Sequence, residues 1–388
     1  MNILIFTSQI HKVGGYERLS VELSVELNRV GYRADLLCLY TNDLDGTLNA
    51  QKKIMGSGVQ KVHYLGLPVK PFFNSVLKSV FRLRKLLLTG KYTAVEVSGF
   101  TPTLVAVLGT IGIDVKVLVG IHAQYHKKSN KGFRFFVWRN ILRLSPKVNF
   151  YAISQAVARD WIIYSKTHPE RTSVVLNSVN EEYFHATSLS GVRDEVRERF
   201  GFRCDQILLL FVGRLTKSKG IDTLFEAVKP LLRDYPHYHL IFVGREDDSE
   251  SPSDAICLHN IKYETLEAGW GSRVHFLGER LDVPAIMAAC DLLVHPARTE
   301  GFGLVLGEAL AVGLPVVASN IGGIPEILAG TDSLMVPADD ARALKDAIAS
   351  VLARPRQKVV EAVSKGKSRA EAFRTEKRTR AIVSLLQS

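Results

Sequence analysis

Short β-rich apolar runs alternate with helix-length amphipathic segments along the whole chain. Such alternation restricts the fold to parallel sheets assembled from βαβ units. In the first half the strand-like runs lie near residues 3–6, 34–39, 94–97, 115–119, 150–153 and 173–176. In the second half they lie near 207–212, 239–243, 274–276, 292–295, 315–318 and 333–336. A chain of 388 residues exceeds what one core ordinarily supports, so two domains are expected. Residues 177–205 mix polar, charged and glycine residues without a clear period, which places the hinge near Asn180. The sequence therefore predicts two doubly wound α/β domains, 1–180 and 181–364, facing a central cleft. The charged helical tail, about 365–388, is expected to pack back on the first domain. No short-period repeat or low-complexity segment interrupts this plan.

Hydrophobic content of 46% with 23% charge describes a soluble globular chain and argues against disorder. The start of the chain is too short an apolar run, with no basic flank, to read as a signal peptide. The longest apolar stretch, 101–121, is broken by Pro102, Asp114, Lys116 and three glycines, so it reads as a helix and a strand rather than a membrane span. Cys38, Cys204, Cys257 and Cys290 form no ligand-spaced pair, which fits a reducing, cytoplasmic setting and no structural zinc. Net charge is +11 and unevenly placed: residues 1–180 carry 24 Lys and Arg against 10 Asp and Glu, and the remainder 26 against 29. One half is thus suited to an anionic surface or substrate.

Three strand-to-helix turns carry the candidate chemistry. The most informative runs from Glu300 to Glu308, between a strand-like Leu292–His295 and a helix-like segment. Gly301 and Gly303 allow the backbone to approach a phosphate, and the start of the next helix presents unpaired N–H groups. Glu300 and Glu308 lie on either side of that turn, spaced to reach opposite ends of one elongated ligand such as a phosphate-bridged sugar and ribose. In the second turn, Gly213 to Gly220, Arg214 and Lys219 could converge on a pyrophosphate, although basic loop residues are more often simply solvated. The third, Ser8 to Arg18, holds the Gly14-Gly15 pair but not the Gly-x-Gly-x-x-Gly pattern, so nicotinamide binding is not expected. His122 directly follows an apolar strand, where a site role competes with a structural one; His126 is the alternative.

Taken together, Gly14-Gly15 with Glu17-Arg18, the Gly213–Gly220 turn and the segment Asp291 to Glu326 resemble the family-4 retaining glycosyltransferases. The last segment carries the most specific likeness, through His295-Pro296, Glu300 to Gly303, Glu308-Ala309, Gly313 to Ala318, and Gly322-Gly323 with Pro325-Glu326. The resemblance spans nearly the whole chain and implies a GT-B fold of two Rossmann-like domains. It also implies sugar transfer from a nucleotide-sugar with retention of anomeric configuration. On this chain it implies that Glu308 binds the ribose and Glu300 the donor sugar, that Arg214 and Lys219 neutralise the diphosphate, and that His122 sits near the reacting carbon. Backbone N–H groups of Gly15, Gly301, Phe302, Gly303, Leu304 and Val305 would join them. A UDP-sugar is the expected co-substrate, with a GDP-sugar as the alternative. No metal is required if the basic side chains and helix N-termini carry the developing phosphate charge. A front-face route is favoured over a two-carboxylate one. The acidic run after Gly244, Arg245 to Glu250, departs from the small, glycine-rich step usual in the family.

Lys70 to Lys91 interleaves six basic residues with an apolar, Phe-bearing face, and Lys127 to Arg139 repeats the theme. Both suit helices lying on anionic lipid, against the blander reading of domain-packing helices with solvated basic faces. Nucleic acid is the weaker account, since no binding motif accompanies them. The expected acceptor is a lipid-linked saccharide or other glycan precursor of a surface polysaccharide, met at the cytoplasmic face of the membrane. The competing readings are an inverting GT-B transferase and a catalytically silent nucleotide-sugar-binding scaffold.

Overall fold

Strands buried on both faces need near-continuous apolar sequence, and the central strands have it. Ile3, Leu4, Ile5 and Phe6 are wholly buried, as are Leu208 to Phe211. The computed structural model describes residues 1–9, 15–40, 58–67, 73–124, 133–145, 147–186, 191–246 and 251–388. It forms two units, one of Met1–Ser178 with Thr375–Ser388, the other of Val179–Arg374.

In the first unit the strands are β1 (Asn2–Thr7), β2 (Arg33–Tyr40), β3 (Val62–Leu67), β4 (Ala94–Ser98), β5 (Lys116–Ile121), β6 (Val148–Ala152) and β7 (Thr172–Val174). They form one parallel sheet in the order β3-β2-β1-β4-β5-β6-β7. The sequence pattern missed β3, whose Val-His-Tyr-Leu-Gly-Leu run has no clean apolar face and is interrupted by Gly66. The apolar stretch 101–121 resolves into the helix Phe100–Gly109 and β5. The helix Gly15–Arg29 buries Leu19, Leu23 and Leu27, one stripe at a spacing of four. The C-terminal helix Thr375–Gln387 adds Ile382, Val383 and Leu386 to the core that Leu23 and Leu27 enter.

The second unit holds β8 (Ile207–Val212), β9 (Tyr238–Val243), β10 (Val274–Phe276), β11 (Leu292–His295), β12 (Val316–Ser319) and β13 (Leu334–Val336). Their order is β10-β9-β8-β11-β12-β13, again parallel throughout. All six were legible in the sequence. The helix Arg356–Ala370 packs on the helix Leu304–Val312, where Gly366 lets it approach Leu310. The charged tail therefore divides, Arg356–Ala370 in the second unit and Thr375–Gln387 in the first.

Both sheets reverse winding direction beside their first strand: between β1 and β4 in one, between β8 and β11 in the other. Ligands of open α/β sheets bind where the strand order reverses, outside the carboxyl ends of the strands. No helix among the described residues is long and apolar enough to cross a membrane. The four cysteines are free thiols; Cys204 is exposed and the others are buried.

Candidate functional site

In the second unit, the loops after β8 and β11 meet at the point of reversal. Gly220 has φ +72°, and a Cβ there would lie 1.9 Å from the Pro296 carbonyl oxygen, so glycine is needed for both conformation and space. That close approach sets the short turn Lys217–Lys219 against the loop that begins at His295 and Pro296. Arg298 ties the loops further: its N–H donates to the Ser218 carbonyl at 2.9 Å, and its guanidinium grips the Asp222 carboxylate at 2.7 and 3.1 Å.

The product of this knitting is a three-residue polar cluster. Lys219 Nζ donates to Glu300 Oε2 at 2.7 Å, and His295 Nε2 lies 3.2 Å from the same oxygen. Both members of the ion pair are largely enclosed, and His295 is buried with its ring nearly parallel to Phe211. Burial disfavours the Glu300 carboxylate, yet the His295 hydrogen bond and the Lys219 charge outweigh it and hold the group well below the usual carboxylate range. Glu300 is thus a fixed anion. Because a carboxylate only accepts, His295 meets it with Nε2–H; its buried Nδ1 has no partner among the described residues.

Beyond the cluster, Gly303 caps the helix Leu304–Val312 with φ +88°, which turns the chain so that the helix N-terminus begins at Leu304. The first N–H groups there have no intrahelical acceptor and the helix dipole favours an anion. Glu308 lies in the second turn of the same helix and is buried. Phe302 turns its side chain inward, edge-on to Phe373 at 5.7 Å, so its backbone is what it could offer a ligand. Gly301 is half-buried before that cap, and Arg214 is exposed just past β8.

The structure joins Lys219 and Glu300 directly, whereas His122 and Gly15 belong to the other unit. Gly15 is exposed at the head of the helix Gly15–Arg29. His122 follows β5 and is half-buried in a polar cluster that sequence reasoning did not find. Its Nε2 lies 3.2 Å from Tyr151 Oη, whose hydroxyl donates to Glu96 Oε1 at 2.7 Å. Tyr16 packs on the imidazole with ring centroids 4.7 Å apart. Arg378, buried on the C-terminal helix, donates to the Leu19 carbonyl at 3.2 Å and reaches Tyr151 Oη at 3.4 Å. Burial, then the Arg378 charge, lowers the His122 pKa to about 3, so the ring is neutral. Glu96 did leave a trace in the sequence: a lone carboxylate inside the apolar β4. Tyr16, Tyr151 and Arg378 carry no local signal; His295, in the other cluster, stood at the end of an apolar strand and in the His295-Pro296 likeness without being assigned a role.

Several sequence expectations fall outside the described residues: 10–14 of the first turn, His126, residues 70–72 and 127–132 of the two basic blocks, and 247–250 of the acidic run.

The model for "Glycosyl transferases group 1" matches residues 192–369 and that for "Glycosyltransferase Family 4" matches residues 13–183. The chain is 27% identical over 266 residues to the lipopolysaccharide core biosynthesis mannosyltransferase LpsB of Rhizobium meliloti (strain 1021), covering 64% of this chain and 74% of that protein. It is 33% identical over 172 residues to the lipopolysaccharide glucosyltransferase WaaG of Escherichia coli (strain K12), a match spanning 44% of this chain and 43% of WaaG. Among solved structures, Anabaena HepE in complex with UDP-glucose superposes with a TM-score of 0.82 at 20% identity, covering 100% of this chain and 99% of that one. The last likeness shows the fold, two parallel-sheet Rossmann-like domains of the GT-B class.

Proposed function

Since the chain belongs to the glycosyltransferases described by group 1 and family 4, we propose that it moves a sugar from a nucleotide-sugar to a glycan or lipid-linked saccharide, with retention of configuration. One observation carries this reading: the Lys219–Glu300–His295 cluster, fixed beside a helix N-terminus at the point where the second sheet reverses. A dianionic leaving group is stabilised by a preorganised cation and by unpaired N–H groups aimed at its oxygens. Lys219 and the N–H groups of Leu304 and Val305 at the helix start supply these, with Gly301 to Gly303 lining the turn, and Arg214 on the same β8 turn and Gly15 in the first unit as further contacts. Glu300, held anionic, accepts hydrogen bonds from the hydroxyls of the donor sugar. Glu308 takes the ribose, and His122 lies against the sugar near the reacting carbon.

A UDP-sugar is the favoured co-substrate; LpsB is named a mannosyltransferase, which keeps a GDP-sugar as the alternative. HepE, whose fold this chain shares, is solved with UDP-glucose. With the phosphate charge carried by side chains and N–H groups, turnover proceeds without a metal, and full activity in excess EDTA is the expected result. A surface-polysaccharide acceptor is supported by the named roles of LpsB and WaaG. The first unit, where the basic excess lies, is assigned to that acceptor and to the cytoplasmic face of an anionic membrane. On the helix Phe73–Thr89, Leu77, Phe81 and Leu88 are exposed beside Lys78 and Lys85, the composition of an interfacial helix.

The deciding experiment is thermal shift against UDP-, GDP-, ADP- and CMP-sugars, followed by NMR of the product's anomeric centre. A bound nucleotide-sugar raises stability by mass action, and a product with the donor's configuration is expected. Inversion would favour the inverting alternative. Binding with neither hydrolysis nor transfer would make the protein a silent scaffold.

A further inference from the structure

The polar cluster around His122 is a means of fixing which of its ring nitrogens carries the proton. Its geometry begins in the sheet register. Ser98, Gly120 and Tyr151 are aligned across β4, β5 and β6. Gly120 has no side chain, and a Cβ there would lie 2.3 Å from Ser98 Oγ, 2.6 Å from Tyr151 Oη and 2.7 Å from His122 Nε2. The missing side chain leaves the space in which those three polar groups converge.

Within that space the hydrogen-bond directions are coupled. The Tyr151 hydroxyl has one proton and two lone pairs. Its proton goes to Glu96 Oε1 at 2.7 Å, one lone pair faces Arg378 Nη2 at 3.4 Å, and the other faces His122 Nε2 at 3.2 Å. Tyr151 therefore accepts from His122, which requires Nε2–H. The opposite direction would need a protonated Glu96. Burial, the largest effect, raises the Glu96 pKa on balance; the Tyr151 hydroxyl, the Arg378 guanidinium and Ser98 favour the anion, and it is as an anion that Glu96 accepts the Tyr151 proton at 2.7 Å. His122 Nδ1 is left with a free lone pair and no partner among the described residues.

We propose that Tyr151, Glu96 and Arg378 are positioning residues that lock His122 in the Nε2–H tautomer, so that Nδ1 accepts a hydrogen bond from a hydroxyl of the bound sugar. The inference rests on the assignment of His122 to the donor sugar and adds the direction of the bond: the histidine reads a hydroxyl and does not polarise an oxygen by donating. It also gives the C-terminal helix a part in the chemistry, because Arg378 belongs to that helix.

Imidazole 15N NMR on the full chain tests it, with the His122 resonances assigned by their loss in His122→Gln. At neutral pH the expected spectrum has a protonated Nε2 and a pyridine-like Nδ1. An Nδ1–H tautomer, an exchanging mixture or titration near pH 6.5 would overturn the lock. Tyr151→Phe should convert the wild-type pattern to a mixture and lower kcat by about 10–100-fold, by analogy with losing the partner that orients a metal-bound histidine. The donor KM should change far less; lowered stability with kcat and KM both unchanged would indicate a merely structural tyrosine. Should Tyr151→Phe unfold the unit, the wild-type tautomer still decides the matter, and Arg378→Gln provides the second variant. UDP-glucose and GDP-mannose are then added in turn. A shift of Nδ1 with either supports the sugar contact, whereas a locked ring that neither probe moves would defeat the donor-sugar assignment of His122 and leave the tautomer lock standing.

Discussion

Glu300 shows how one residue's role depends on its neighbours. From the sequence it is one of two carboxylates around a turn, compatible with nucleophile, base or ligand contact. With Lys219 and His295 both on Oε2 it is a fixed anion, which suits accepting hydrogen bonds and not delivering a proton. Lys219→Ala should reduce kcat by on the order of 10²–10³-fold, the cost of removing one preorganised charge-stabilising group. It should also destabilise the fold by about 3 kcal/mol by stranding the enclosed carboxylate, and the Lys219→Ala, Glu300→Gln pair should recover much of that loss in a thermal melt. Retained turnover in the single variant would remove Lys219 from the leaving-group site. A carboxyl whose folded pKa is depressed contributes fully above its unfolded pKa of about 4.3 and loses the contribution as pH falls below that value. The melting-temperature gap between the protein and Glu300→Gln should accordingly be constant from pH 8 to 6 and narrow progressively as the pH falls below about 4; a gap that widened on acidification would contradict the pairing.

At the scale of elements, the site depends on turns that admit only glycine. Gly220 combines a left-handed conformation with a backbone contact that leaves no room for a Cβ, and it sets the loop that carries Lys219 against the strand end that carries His295. Gly220→Ala should cost more than about 1 kcal/mol in denaturant unfolding and lower kcat out of proportion to stability, because the loop moves Lys219 away from Glu300. Wild-type kcat in this variant would show that the two loops need not be tied so closely. The sequence marked this turn and the Gly303 turn as glycine-bearing. It did not show which glycine needs positive φ and which is required by a neighbouring backbone, because the neighbour comes from a distant part of the chain.

For the whole molecule, chain ends and charge distribution matter more than any one motif. Ile382 on the last helix is wholly buried in the first unit's core, so Ile382→Ala should cost about 2–5 kcal/mol, measured on the unfolding transition of that unit. A cost near zero would mean that the C-terminal helix is not docked. Membrane attachment is likewise a property of the assembled surface. Arg82 and Arg84 donate to the carbonyls of Leu65, Gly109 and Ile111, so the basic residues on this helix best suited to lipid are Lys78 and Lys85. At about 1 kcal/mol per lysine near an anionic surface, Lys78→Gln with Lys85→Gln should weaken binding to phosphatidylserine vesicles on the order of 30-fold. Unchanged co-sedimentation would rule this helix out as the docking face.

The sequence by itself determined the parallel-sheet class, twelve of the thirteen strands among the described residues and the glycine turns with their carboxylates and cations. These are local properties: periodicity sets burial, and glycine and charge declare themselves within a few residues. Only the tertiary structure decided that Lys219 and His295 share one oxygen of Glu300, that the tail divides between the units, and that Glu96, Tyr151 and Arg378 surround His122. Lys219 lies 81 positions from Glu300, and Glu96, Tyr151 and Arg378 lie 26, 29 and 256 positions from His122; nothing short of the folded register brings them together.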